Sequence, residues 1–303
     1  MKDRTTDYDV VIVGGSFAGL SAAMALGRSL RKVLLIDSGS PCNIQTPHSH
    51  NFITQDGETP QAIRDKAISQ VLSYPTVTFR DSVVNKVSRE ADKFLVEITE
   101  SESFTAKKLL LATGVRDLMP DIEGFAACWG ISILHCPYCH GYEVRHKKIG
   151  LLGNGDMGYE FVKLLSNWSQ DLVLFTNGTS TLTEEQIQTL RSKEVEIVEE
   201  EILQIEHEQG IIQNLVLKGG TSYFVSALFA RVPFELHSTI PVELGCELTD
   251  HGLIKVDEFQ RTTVKGIYAA GDNAYPMRSV ASAVAAGNKA GAVMNKELID
   301  EEF

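Results

Sequence analysis

Two glycine turns, each set between a short apolar run and a helical stretch, constrain this chain more than any other feature of its 303 residues. In the first, Asp9-Val10-Val11-Ile12-Val13 runs into Gly14-Gly15-Ser16-Phe17-Ala18-Gly19 and on into Leu20-Ser21-Ala22-Ala23-Met24-Ala25-Leu26. The second repeats the order: residues 148–152, then Gly153-Asn154-Gly155-Asp156-Met157-Gly158, then 159–168. The apolar runs read as buried strands and the tails as helices. Where a strand feeds a helix N-terminus, unpaired N–H groups and the positive end of the helix dipole face a pyrophosphate, provided no side chain blocks its approach. Glycine supplies that clearance.

A further apolar run, 32–36, stops at Asp37, where a carboxylate can meet a ribose, so the first βαβ unit has close to the expected length. The polar, turn-rich segment 41–60 reads as a loop over the surface or over a ligand, 61–72 as helix, and the stretches 77–87 and 94–98 as strands. Lys108-Leu109-Leu110-Leu111-Ala112-Thr113-Gly114 returns to the core. Gly266-Ile267-Tyr268-Ala269-Ala270-Gly271-Asp272 is another strand ending in Gly-Asp, ahead of a small-residue helix. The chain is longer than one core usually organises, and its glycine turns lie roughly 140 residues apart. Together these predict an α/β protein of two Rossmann-like three-layer domains, the second inserted into the first. The expected boundaries are 1–117 with 247–303 for the first domain and 118–246 for the second.

A hydrophobic content of 43% with 22% charged residues fits folded cores and excludes a disordered chain. The formal net charge of -12, with no Lys/Arg cluster against it, argues against nucleic acid and anionic membrane surfaces as partners. Early charges of both signs in residues 1–7 do not read as a signal peptide, and 280–294 is too short and too polar to span a bilayer. A cytoplasmic location is expected.

Of the five cysteines, Cys136 and Cys139 stand close together in Cys136-Pro137-Tyr138-Cys139. At i and i+3 on the first turn of a helix two sulfurs can close a disulfide, and a helix N-terminus lowers a thiol pKa toward the reactive range. Such a pair accepts and passes on two electrons. The alternative is half of a zinc site with His135 or His140, but no second CxxC lies nearby, so no metal is expected. A thiol-disulfide cycle also needs a proton donor, for which His140 and Glu143 are the candidates. Cys42, Cys128 and Cys246 are isolated and read as small core residues, and Met277 as packing. The second glycine turn has all three glycines of a nicotinamide site. The strand after it, however, ends Phe175-Thr176-Asn177-Gly178, with neither the acid expected for NAD nor the basic residues expected for NADP. Nicotinamide binding, a vestigial site and a different electron source all stay open.

Taken in order, the first glycine turn, Ala112-Thr113-Gly114, the CxxC, the second glycine turn and Gly271-Asp272 resemble the low-molecular-weight thioredoxin reductases over nearly the whole chain. The resemblance implies FAD in the discontinuous first domain, a NAD(P)-type second domain carrying the CxxC, and a homodimer. By position, Cys139 would face the flavin and Cys136 would attack or release an external disulfide. Gly14, Ser16, Gly19, Asp37, Asn51, Thr113, Gly114, Asp272 and Val280 would contact FAD. Gly15, Phe17, Ala18, Ser38, His50, Val83, Ala112, Gly271 and Ser279 complete the expected flavin set. Gly153, Gly155, Asp156 and Met157 would belong to a nicotinamide site, which leaves room for NAD(P)H.

Two departures matter. Thioredoxin reductases usually carry Asp after the second cysteine, where this chain has His140, and they carry an arginine-rich NADP signature that is missing around 176–179. The run Cys139-His140-Gly141-Tyr142-Glu143 and the loop from His48 to Gly57 look more like the gliotoxin and holomycin dithiol oxidases. Those pass substrate electrons through cysteine and flavin to oxygen. Ferredoxin-dependent flavoprotein reductases likewise lack the nicotinamide signature. The leading expectation is a reductase acting on a small thiol or disulfide or on a thioredoxin-like protein. A dithiol oxidase, a ferredoxin-linked reductase and a non-catalytic redox-sensing flavoprotein are the alternatives.

Overall fold

A computed structural model of the chain describes residues 6–303. The expectation about an export signal falls partly on residues 1–5, outside the described residues. Among the described residues no helix is long and apolar enough to cross a membrane.

The described residues form two compact units, one of residues 6–44, 61–116 and 234–303, the other of 45–60 and 117–233. The first is built on a sheet in the order Val77–Asp81, Val33–Asp37, Thr6–Val13, Ser103–Leu111, Lys93–Glu97, Lys86–Glu90. The first four strands are parallel. Ser103–Leu111 is shared along one edge: its start pairs antiparallel with Lys93–Glu97 and its end parallel with Ile267–Ala269.

The central stretches Val10–Val13, Val33–Ile36 and Leu109–Leu111 are continuous apolar runs because both faces of the sheet are covered there. Alternate residues enter different cores: Val11, Val13, Leu34, Ile36, Leu109 and Leu111 on one side, Val10, Ile12, Val33, Leu35 and Leu110 on the other. The second core is closed by the helices Phe17–Arg28 and Val280–Glu302. Their crossing is set by small residues, since a Cβ on Gly287 would lie 2.0 Å from the Ala18 carbonyl oxygen and one on Gly291 2.8 Å from that of Ala22. Lys108 is buried, but its ammonium is paired with Glu297 and Glu301, which is how a charge survives in a core.

The second unit repeats the pattern on a five-stranded sheet, Glu196–Val198, Leu172–Phe175, Ile149–Leu152, Ala227–Ala230, Ile133–Leu134, all parallel. Val173, Phe175, Leu228 and Ala230 fill one side, and Leu172, Leu174, Ala227 and Phe229 the other. An antiparallel sheet of Ile202–Glu208, Ile211–Leu217 and Ser222–Tyr223 accompanies it.

Two segments divide differently from the expected boundaries. Residues 234–246 go with the first unit because Leu236, Ile240, Leu244 and Cys246 pack into the core around Val11 and Val13. The loop 45–60 leaves that unit and goes with the second.

Candidate redox site at the cysteine pair and candidate dinucleotide sites at the glycine turns

Cys136 stands at the N-cap of a single helical turn, Pro137–His140. Proline suits the first helical position, where its missing N–H costs nothing. The N–H groups of Cys139 and His140 both donate to the Cys136 carbonyl at 3.1 Å, so the turn closes on the first cysteine. With its Cα 5.3 Å from that of Cys139, the two sulfurs are joined in a disulfide. Gly141 is required next: a Cβ there would meet the Pro137 oxygen at 2.6 Å and the Trp168 ring at 3.0 Å. Tyr138 packs edge-on against Trp168 at 5.5 Å, and Arg145 lies over the Tyr142 ring at 3.8 Å. Both tyrosines are nonetheless 65% exposed, which leaves aromatic surface beside the disulfide.

His140, the residue after the second cysteine, is partly buried. Burial, and then the nearby His50, lower its pKa below the usual imidazole value, while Glu143 acts in the opposite direction. His50 lies with its ring 6.2 Å from that of His140, its Nε2 3.7 Å from Glu143 and its Nδ1 3.8 Å from Asp56. His50 and Asn51, expected among the flavin residues of the first domain, therefore belong to the unit that carries the cysteines. Asn51 has a left-handed backbone (φ 60°) and gives its N–H to Asp56 at 2.7 Å.

In the first unit the glycine turn is tightly built. A Cβ on Gly14 would lie 2.2 Å from the Ala112 oxygen, and one on Gly19 1.8 Å from the Gly14 oxygen. The Gly15 N–H donates to Asp37 Oδ1 at 2.8 Å. Ser16 is the N-cap of Phe17–Arg28, yet its side chain makes no capping bond. Thr113, at the end of the neighbouring strand, has a buried hydroxyl without a hydrogen-bond partner. Helix donors with no side-chain cap, glycine clearance and a buried orphan hydroxyl fit a dinucleotide such as FAD.

Further along, Gly271 has φ 95°, Asp272 pairs with Arg278 at 3.4 Å, and Ser279 caps the helix that starts at Val280. Ser38 and Val83 are exposed on loops, and Gly114 is left-handed (φ 66°) with open space around its Cα. Two residues escaped the sequence reading. Arg64, on the helix Pro60–Val71, forms an ion pair with Asp37 and keeps a buried Nε without a partner. Asn273 is buried, bonded to the Leu111 oxygen at 2.9 Å, with its own Oδ1 unpaired. The polar residue after Gly271-Asp272 was a signal for Asn273; nothing local pointed to Arg64. Cys128 and Cys246 are buried as expected. Cys42 is exposed, 3.8 Å from Asp272, and Met277 is 74% exposed, so neither is core packing.

The second glycine turn is built differently. Asn154 caps its own helix, accepting from the N–H groups of Gly155 and Thr181 at 2.8 Å and donating to the Thr179 oxygen at 2.9 Å. The Thr181 hydroxyl lies 2.8 Å from where a Gly155 Cβ would be, and Asp156 puts an acid into the first turn. Met157 is partly exposed there.

Residues 8–290 match the family described as pyridine nucleotide-disulphide oxidoreductase. The chain is 32% identical to "Thioredoxin reductase sirT" of Leptosphaeria maculans, over 98% of this chain and 96% of that one. Among solved structures, the putative thioredoxin reductase TrxB of Bacillus anthracis superposes with a TM-score of 0.93 at 30% identity, covering 98% of this chain and 100% of its own. An oxidoreductase from Agrobacterium tumefaciens gives 0.91 at 36% identity, covering 97% and 99%. Proteins of this family carry FAD, with NAD(P)H as the usual reductant. A match that runs through both units and the cysteine pair is decisive: the chain belongs to the pyridine nucleotide-disulphide oxidoreductases and is an FAD-dependent, thioredoxin reductase-like thiol-disulfide oxidoreductase.

Proposed function

We propose that this enzyme works in the oxidative direction, taking two electrons from a small dithiol at Cys136–Cys139 rather than drawing them from NADPH. The observation that carries this reading is the second glycine turn, which is occupied by the protein's own Asn154 and Thr181 side chains. An added 2′-phosphate would find no basic residue at 176–179, and Glu199, Glu200 and Glu201 directly follow Val198, the strand neighbour of Phe175. Carboxylates there repel a phosphate.

In this reading a substrate thiol gives up its proton, its sulfur attacks Cys136, and the Cys136–Cys139 bond breaks with the electron pair left on Cys139. The second substrate thiol then loses its proton and displaces Cys136, so the substrate leaves as a disulfide and the protein holds a dithiol. FAD, when bound, would supply the two-electron acceptor for the reduced cysteine pair, with oxygen as the final acceptor. Gly14, Gly15, Ser16, Gly19, Asp37, Thr113, Asp272 and Ser279, with Arg64 and Asn273, would hold it. His140 takes the thiol proton, a task suited to an imidazole kept neutral by burial. The exposed rings of Tyr138 and Tyr142 favour a small apolar substrate.

The test is anaerobic mixing of the FAD-loaded enzyme with NADPH, NADH and dithiothreitol, followed by flavin absorbance. Rapid bleaching by the dithiol alone, and peroxide release from dithiol in air that Cys139→Ser abolishes, are expected. Rapid bleaching by NADPH with turnover of a disulfide would establish the reductive direction, the one in the sirT relative's name, instead.

A further inference from the structure

The loop 45–60 holds one group that the cysteine chemistry above leaves unused, and the loop is built to fix it in place. Ser49 and Glu58 form a bridge, closed by Ser49 N–H to the Glu58 oxygen at 2.8 Å and Gly57 N–H to the Ser49 oxygen at 2.9 Å. His48 Nδ1 meets the Gly57 oxygen at 2.9 Å, which ties the start of the loop to its end. Inside this closure Asn51 (φ 60°) and Thr54 (φ 74°) take left-handed backbones that bulky residues avoid. What the strained turn presents is His50, whose side chain is only 21% exposed.

The surroundings of that ring are ordered by exposure. On one side, edge-on at 88°, is His140, next in sequence to Cys139. On the others are Glu143, 40% exposed, Asp56, 68% exposed, and the ring of His48, 6.4 Å away in the same loop. Distances of 3.7 and 3.8 Å from the His50 nitrogens to these carboxylates suit an ion pair or one bridging water rather than a direct hydrogen bond. His140 is faced by His50 from the loop and by Glu143 from the chain after its own turn.

We propose that His50 is the proton carrier between His140 and bulk water, the second member of a histidine pair that serves the Cys136–Cys139 couple. When a substrate sulfur attacks Cys136, its S–H bond breaks and the proton passes to His140. His140 hands it to His50 through one bridging water, and it leaves to solvent past Asp56 and Glu143. The electron pair of the broken disulfide stays on Cys139, so no further oxidant or reductant enters this step. In the reductive direction the proton travels the same path inward. The proposal rests on exchange at the cysteine pair and holds for either net direction.

The geometry also gives a sign. His50 is one of the influences that lower the His140 pKa, so replacing it with a side chain that does not titrate lets that value rise. The acid limb of the rate, which needs neutral His140, then moves to higher pH.

The experiment is anaerobic reduction of the FAD-loaded enzyme by dithiothreitol, from about pH 5 to 9, at low and high imidazole. His50→Gln is expected to slow reduction roughly 10- to 100-fold with flavin content unchanged, to shift the acid limb upward, and to regain rate with imidazole. A His50→Gln rate within twofold of wild type across the range, or a loss that imidazole does not restore, overturns the proposal. Should that variant lose its flavin, Asp56→Asn combined with Glu143→Gln tests the exit instead. Slower, buffer-dependent reduction supports the relay, and an unchanged rate overturns it. Failure of wild-type enzyme to be reduced by any dithiol would overturn this proposal together with the exchange reading beneath it.

Discussion

At the residue scale the chemistry is a matter of how few atoms must be placed. Cys136-Pro137-Tyr138-Cys139 brings its sulfurs together within one helical turn, and Gly141 lets that turn press against Trp168. His140 then inherits a partly buried position, and with it a lowered pKa. A histidine whose folded pKa is depressed costs stability as it becomes protonated. The unfolded chain binds the proton first as pH falls below about 6.5, and the loss continues until the folded value is passed. His140→Gln removes this contribution. The drop in Tm between about pH 7.5 and 5.5 is therefore expected to shrink by roughly 1–3 °C, measured by thermal unfolding of the FAD-loaded protein. An unchanged drop would mean that His140 is not held neutral by its surroundings.

Between elements, the governing contact is the crossing of Phe17–Arg28 with Val280–Glu302. In the proposed flavin site the first of these helices would offer its N-terminus to the dinucleotide, and its position relative to the sheet fixes where Gly14 to Gly19 point. Gly287 and Gly291 allow the backbones to meet, and Ser21 bonds the Val284 oxygen at 2.7 Å across the same contact. Gly287→Leu must push the helices apart. We expect a loss of about 1–3 kcal/mol, a Tm lower by roughly 2–8 °C, and weaker flavin retention, checked by thermal unfolding and visible absorbance. Behind this crossing, Glu297 gathers Lys108, Arg261 and Tyr268 around one carboxylate. Burial pushes its pKa up, but hydrogen bonds from Tyr268 and Arg261 and the charge of Lys108 hold it below the usual carboxylate value. That contribution is present above the ordinary Glu value and fades as pH falls through the lowered one.

For the molecule as a whole, the net charge of -12 sets which substrates approach readily. With a Debye length of about 10 Å at 0.1 M salt, repulsion of an anionic dithiol is strong at low ionic strength and weak at about 0.5 M. Dimercaptosuccinate should gain rate roughly three- to ten-fold over that range, while dithiothreitol changes less than about twofold. Parallel gains for both would show that long-range charge does not select substrates. The same scale shows where reading residues in order succeeds and where it stops. Both α/β sheets follow from runs such as Val10 to Val13 and Leu172 to Phe175, because a strand buried on two faces must be apolar at every position. The cysteine pair and the glycine turns are legible for a similar reason, since each depends on neighbours within a few residues. By contrast, the partner of Asp37 is Arg64, and Asn154 is tied to Thr181. The loop 45–60 likewise leaves the strands that precede it and brings His50 to His140. Strands, turns and the redox pair are written in neighbouring residues and can be read from their order alone. Which distant side chains fill or flank them is settled by folding, because a contact across many residues is set by how whole elements pack and carries no signature in the spacing of its two ends.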